Sequence, residues 1–206
     1  MKRIRRILLL LVMGIIVVSF NIQTVDATTM GPPYNDGNYA IYYANAYYDL
    51  NSGAVYARAG AYSSGTQKAW VWIGEHFTAS ATDTFRLSTS TRLTAYLEAF
   101  KVSGKYADAR VTIKMHCWYL WWGIYFPVKS LQIFTRSISF RDDTFATYTN
   151  EVITGFMDCD LLNGATYCFA VEMNINAYDN GDVKKTSVGF NYATLKVDWL
   201  KYVVAP

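Results

Sequence analysis

Apolar and polar residues alternate one for one over long stretches of this chain, the period of a strand with one buried face. Over positions 109–117 the odd residues Ala109, Val111, Ile113, Met115 and Cys117 are apolar, and Arg110, Thr112, Lys114 and His116 fill the even ones. Over 85–99, Phe85, Leu87, Leu93, Ala95, Leu97 and Ala99 oppose Arg86, Ser88, Ser90, Arg92, Thr94 and Glu98. That predicts one long strand, or two bent at the serine- and threonine-rich middle. Tyr167, Phe169, Val171, Met173 and Ile175 should point inward against Glu172, Asn174 and Asn176, as should Leu195, Val197 and Trp199 near the end. Further strands are expected over 39–48, 54–62, 69–78, 128–140 and 151–157. The turn-forming stretches NSG, SSGT, VSGKYAD, LNGAT and DNGD separate them. No segment carries a helical period. About nine strands rich in tyrosine, threonine and valine predict an all-β fold, an antiparallel two-sheet β-sandwich of jelly-roll-like form.

The alternation fails at one place. In HCWYLWWGIYF, positions 116–126, both faces of a strand would be apolar from Trp118 onward, until Gly123 and Pro127 interrupt the run. The segment reads as the end of one strand, an aromatic connection and the start of the next. By continued parity Tyr119 and Trp121 point inward and Trp118 and Trp122 outward. The same parity puts Trp70 and Trp72 on the face opposite Val71 and Ile73.

The chain opens with KRIRR, a 14-residue apolar run and NIQTVDA, with small residues Val25 and Ala27 at the −3 and −1 positions. This is the pattern of a cleaved secretory signal, and the run is shorter than the ~20 residues that span a bilayer. Residues 1–27 are therefore expected to be removed on export, 28–38 to form an extended or disordered lead-in, and 39–206 to form a single sandwich domain. The mature protein is expected to be extracellular or held at the cell surface, touching membrane only if the signal stays uncleaved. Cleavage takes 19 basic and 16 acidic residues down to 15 of each. A neutral mature chain gives no ground for nucleic-acid binding.

Candidate chemistry centres on the aromatic residues. Tryptophan and tyrosine offer a flat apolar face with a polar edge, suited to lying against a sugar ring while polar neighbours bond its hydroxyls. Trp70, Trp72, Trp118, Trp122 and Tyr125 are the candidate ligand-binding residues for an extracellular or cell-wall glycan. The alternative is a structural or adhesive surface protein, a self-assembling subunit that uses the same rings against other copies of itself. Catalysis has little support. His76 and His116 have no ligand partner at zinc-like spacing, and no nucleophile elbow or phosphate loop occurs. The acidic pairs available to a glycoside hydrolase, Asp142 with Asp143 and Asp158 with Asp160, lie in loop-like sequence. No cofactor is expected, calcium at Asp179 and Asp182 in DNGD being a minor candidate beside the tight-turn reading. Cys159 and Cys168 flank DLLNGATY, read as a hairpin or loop between two strands, which makes them the candidate disulfide. Cys117 could also pair with either.

The final strand, YATLKVDWLKYV at 192–203, resembles the closing strand of secreted jelly-roll carbohydrate-binding modules and of laminarinase-like glycoside hydrolases. The hydrolases carry an E-x-D-x-x-E catalytic strand that this sequence does not contain. The resemblance therefore implies a non-catalytic module.

Overall fold

The computed structural model describes residues 27–61, 65–99, 107–139, 144–179 and 189–205. The segment expected to be an export signal, Asp142, Asp143 and Asp182 lie outside the described residues, apart from that segment's final Ala27. Eleven strands are described, two more than alternation predicts, and no helix accompanies them. They are β1 (Thr28–Met30), β2 (Asp36–Tyr42), β3 (Asn45–Asp49), β4 (Ala54–Ala61), β5 (Gly65–Thr78), β6 (Asp83–Ala99), β7 (Ala107–Trp121), β8 (Ile124–Ser139), β9 (Thr144–Leu161), β10 (Thr166–Asp179) and β11 (Gly189–Val204). All pair antiparallel, in two sheets. One runs β3-β4-β11-β6-β9, with β1 also pairing β11, and the other runs β2-β5-β10-β7-β8. One extra strand, β1, comes from residues 28–38, read from sequence as a lead-in, and the other arises because the strand expected over 39–48 is divided into β2, which starts within that lead-in, and β3. Met30 lies opposite Leu200, Tyr34 is buried with its hydroxyl donating to the Val197 carbonyl at 3.3 Å, and Asp36 opens β2.

The core lies between the sheets where the alternation says it should. Val71, Ile73, Val111, Ile113, Met115, Phe169, Val171, Met173 and Ile175 face Phe85, Leu87, Leu93, Leu97 and Leu195, and none is more than 1 % exposed. β6 is one long strand. Its middle keeps Thr89 and Thr91 buried because their hydroxyls donate to the carbonyls of Trp199 and Ile153, which removes the cost of burying an unpaired hydroxyl. Parity fails at one inward assignment on β11. The ladder to β6 slips between Val197 and Trp199, a bulge that moves Leu200 into the core and leaves Trp199 only half-buried. Once one extra residue enters a strand, every side chain beyond it changes face.

The sheets differ in their outer faces. The six-stranded sheet is covered by paired charges, Arg86 with Asp158 at 2.8 Å and Arg92 with Asp198 at 2.5 Å. It also carries stacked rings, Tyr47 on Tyr56 at 4.9 Å and Tyr96 on Tyr192 at 5.7 Å. The five-stranded sheet carries tryptophans, both histidines and a row of small residues.

Candidate functional site

On the outer face of the five-stranded sheet, strand pairing sets rows of residues side by side. One row runs Asn38, Trp72, Glu172, Lys114, Gln132, and the next runs Asp36, Gly74, Ala170, His116, Ser130. The second row is small in the middle. A Cβ on Gly74 would lie 2.7 Å from the Phe169 carbonyl oxygen and 2.9 Å from the Ala170 Cβ, so only glycine allows β5 and β10 this approach. Aromatic rings gather around this row. Trp72 meets Trp118 edge to face at 4.9 Å, Tyr125 meets both at 5.8 and 5.7 Å, and His116 stacks on Trp118 at 4.8 Å. Trp70, two residues from Trp72 on the same face, is 38 % exposed beside Asn174.

Tyr125 shows the shape of this face. Its hydroxyl donates to Asp36 Oδ2 and lies 3.3 Å from His76 Nε2. Yet β8 and β2 are the two edges of the sheet. In a flat sheet four strand spacings would separate them by roughly 19 Å, further than a tyrosine side chain extends. The end of the β7–β8 hairpin must therefore curl across the outer face, which becomes concave. The pairing shows where the bend starts: the β7–β8 register shifts between Cys117 and Trp118, leaving Val128 as an extra residue. Bulges of this kind bend a strand and increase its twist.

The polar groups around the rings are held in place. Asp36 Oδ1 accepts from the Gly37 N–H at 2.8 Å, leaving Oδ2 for His76 Nε2 at 2.8 Å and for Tyr125. Glu75 accepts from the backbone and side-chain nitrogens of Asn35, whose Oδ1 accepts from the His76 N–H. Burial raises the Glu75 pKa, against the lowering effect of the Asn35 N–H and of His76. His116 is nearly buried, with Nδ1 2.7 Å from Ser130 Oγ and Nε2 3.6 Å from Glu172. Nε2 makes no hydrogen bond although it is buried from solvent.

The structure thus gathers Trp72, Trp118 and Tyr125, with Trp70 alongside, and leaves Trp122 out. Trp121 pairs with Ile124 across a two-residue turn in which Trp122 and Gly123 both have positive φ, 52° and 77°. That is the hairpin turn whose twist matches the strands. Trp122 stands 88 % exposed at its tip. Trp121, expected inward, is 55 % exposed because the hairpin has run past the end of the core. Tyr119 does pack on the core's rim.

The expected Cys159–Cys168 bridge is absent: all three thiols are free. LLNGA does not close a hairpin, since β9 and β10 belong to different sheets. Cys159 therefore faces the interior opposite Cys117, whose thiol it hydrogen-bonds, while Cys168 lies on the far side of the other sheet beside His76 and Trp118. That bond, with burial, holds the Cys117 thiol far above its ordinary pKa. Burial pushes Cys168 up as well, with the Asp36 and Glu75 charges adding to it. Asp179 ends β10, and its intended calcium partner lies outside the described residues.

Two members of this cluster escaped sequence reasoning. Asp36 sits in the stretch read as lead-in, and Cys168 was assigned to a bridge. His76 and His116 carried the only advance signal, both standing on the solvent side by parity.

No family model matches this chain, and no curated protein does. Among solved structures it is similar to the Emp47p carbohydrate recognition domain, at 12 % identity and TM-score 0.28, over 86 % of this chain and 95 % of that one. It is also similar to the CBM22-1 xylan-binding domain of Paenibacillus barcinonensis Xyn10C, at 11 % identity and TM-score 0.21, over 84 % and 85 %. A chain of infectious bursal disease virus, Gt strain, gives 7 % identity and TM-score 0.20 over 89 % and 42 %. Likenesses at these scores carry no argument about what the chain does, and its two-sheet architecture rests on its own strand pairing.

Proposed function

We propose that this is an exported, non-catalytic protein that binds an extracellular or cell-wall glycan in the concave outer face of its five-stranded sheet. The observation that supports this most is the convergence of Trp70, Trp72, Trp118 and Tyr125 in a face bent by the β7–β8 hairpin, among Asn38, Lys114, Glu172, Asn174 and His116. Flat rings would cover the apolar faces of the sugar, and the amide, ammonium and carboxylate groups would bond its hydroxyls. Trp70 is the ring to test, because it is the most exposed of the four. Intrinsic tryptophan fluorescence during titration with a panel of soluble polysaccharides should give a saturable shift for one glycan class. Trp70→Ala should weaken that binding at least tenfold while its circular dichroism spectrum stays that of the folded protein, and Trp122→Ala should leave it unchanged. Absence of a response to every glycan, or full affinity in Trp70→Ala, overturns the proposal.

A second reading, self-association at the surface, is favoured by a different observation. Trp121, Trp122, Ile124, Phe126 and Val128 form a continuous apolar strip on the hairpin end, each at least 40 % exposed, and they border the free edge of β8. Unpaired edges flanked by apolar side chains invite a second copy of the same strand. Light scattering that grows with protein concentration, without a glycan response, is the result that would select it.

A further inference from the structure

We infer that Asp36, His76 and Cys168 form a binding site for a transition-metal ion of the zinc class, with Tyr125 at the fourth position. The three side chains come from three neighbouring strands, β2, β5 and β10, and each offers a different donor: a carboxylate oxygen, an imidazole nitrogen and a thiol sulfur. These atoms all lie within 4.8 Å of one another. The Tyr125 hydroxyl joins them, 3.3 Å from His76 Nε2.

The geometry is close to what such an ion requires. With metal–nitrogen and metal–oxygen distances of ~2.0 Å and a metal–sulfur distance of ~2.3 Å, the edges of a tetrahedron are about 3.3 to 3.6 Å. The His76–Tyr125 separation already has that value, the Asp36–His76 pair at 2.8 Å needs to open by about 0.5 Å, the Tyr125 hydroxyl has to leave its hydrogen bond to Asp36 Oδ2, and any pair near the 4.8 Å limit has to close by about 1.2 Å. In the metal-free protein His76 Nε2 carries the proton, since the carboxylate it faces can only accept. On binding, the imidazole takes its Nδ1–H tautomer, which frees the Nε2 lone pair for the ion, and the Cys168 thiol releases its proton to solvent to ligate as thiolate.

Three further features separate this group from an ordinary surface hydrogen-bond cluster. The donors are preset: Asp36 Oδ1 is tied to the Gly37 N–H, which turns Oδ2 alone inward, and the His76 backbone is pinned through Asn35 and Glu75. Cys168 is fully buried yet lies on the outer side of its sheet, between His76 and Trp118 on the neighbouring strands. The carboxylates of Asp36 and Glu75 both bear on that thiol, a surplus of negative potential that a divalent cation would offset. Sulfur and imidazole together select zinc, cobalt or copper over calcium or magnesium.

The inference does not depend on the glycan reading, and its test is blind to glycans. The purified protein, stripped with chelator and titrated with Co2+, should bind one equivalent. It should show a thiolate-to-cobalt charge-transfer band with visible bands of tetrahedral intensity. Cys168→Ala should abolish the charge-transfer band and weaken binding at least 100-fold, and His76→Gln should weaken it at least tenfold. A titration without the thiolate band, or a band that survives in Cys168→Ala, overturns the assignment. X-ray absorption of the unaltered protein loaded with Zn2+ decides it independently of any variant. One sulfur at ~2.3 Å with three nitrogen or oxygen neighbours at ~2.0 Å supports the site, and a sulfur-free shell refutes it.

Discussion

Trp122 stands at the most exposed point of the aromatic run, and its backbone supplies a quantitative test. Its φ of 52° places an L-residue in the left-handed region, at the first central position of a turn that favours asparagine followed by glycine. That conformation costs a side-chain-bearing residue roughly 1–2 kcal/mol, and asparagine tolerates it better than most. Against this stands whatever the indole gains by contact. At 88 % exposure it buries about an eighth of its surface, or ~30 Å² of a ~250 Å² side chain, worth at most ~0.7 kcal/mol. Trp122→Asn should therefore raise stability by about 0.8 kcal/mol. For a domain of this size that lifts the melting temperature by roughly 2–3 °C. Thermal unfolding followed by circular dichroism, with urea midpoints as a second measure, reads the effect. Gly123→Ala serves as the opposite control, since it places a Cβ at φ 77° and should lower the melting temperature. A drop in stability on Trp122→Asn would refute the reasoning, because it would mean the ring packs in solution against something that its exposure does not reveal. A gain would mean that this chain carries a tryptophan in a strained turn at a net cost to its fold. Such an outlier supports a contact role for the tip.

The remaining predictions concern charge and thiols. The Arg86 guanidinium, hydrogen-bonded at 2.8 and 3.0 Å, holds the Asp158 carboxyl below the usual carboxylate range. A depressed folded-state pKa contributes stability that is present above the unfolded value of about 3.9 and is lost as pH falls through the folded value. Arg86→Gln should thus be less stable than the parent at neutral pH, with the gap closing in acid; a gap that does not change with pH would remove the pair from the account. Mild oxidation followed by peptide mapping should give a Cys117–Cys159 link between the sheets, and recovery of a Cys159–Cys168 peptide would contradict the strand topology.

The sandwich was legible because its signal is local and repeated. Each inward residue on β7 or β10 is two positions from the next, so the alternation over 109–117 and 167–175 alone assigns the core face. What alternation cannot register is a residue that drops out of step. The bulge at Val197/Trp199 exchanged Trp199 for Leu200, and the extra residue Val128 in β8, opposite Cys117 and Trp118, bends the β7–β8 hairpin over its own sheet. The cysteine error has a related cause. Proximity in sequence around LNGA suggested a hairpin, whereas the chain at that point crosses from one sheet to the other.

The candidate site was half legible for the same reason. Parity put Trp70, Trp72, Trp118, His76 and His116 on the solvent side, and the structure finds all five on that face. Their gathering could not be read, because it depends on strand order: β5, β10 and β7 are neighbours in the sheet though about forty residues or more separate His76 from Trp118 and Trp118 from Cys168. Asp36, His76 and Cys168 form the extreme case. No spacing rule links positions 40 and 92 residues apart, and each residue alone has an ordinary explanation: a loop aspartate, an exposed histidine, half of a disulfide. Only pairing of β2 with β5 and of β5 with β10 brings the three donors to one point, and only the missing side chain at Gly74 lets those strands approach closely enough. A substitution at Gly74 should accordingly damage the cluster and the aromatic cleft together. Removal of Trp70 should touch the cleft alone.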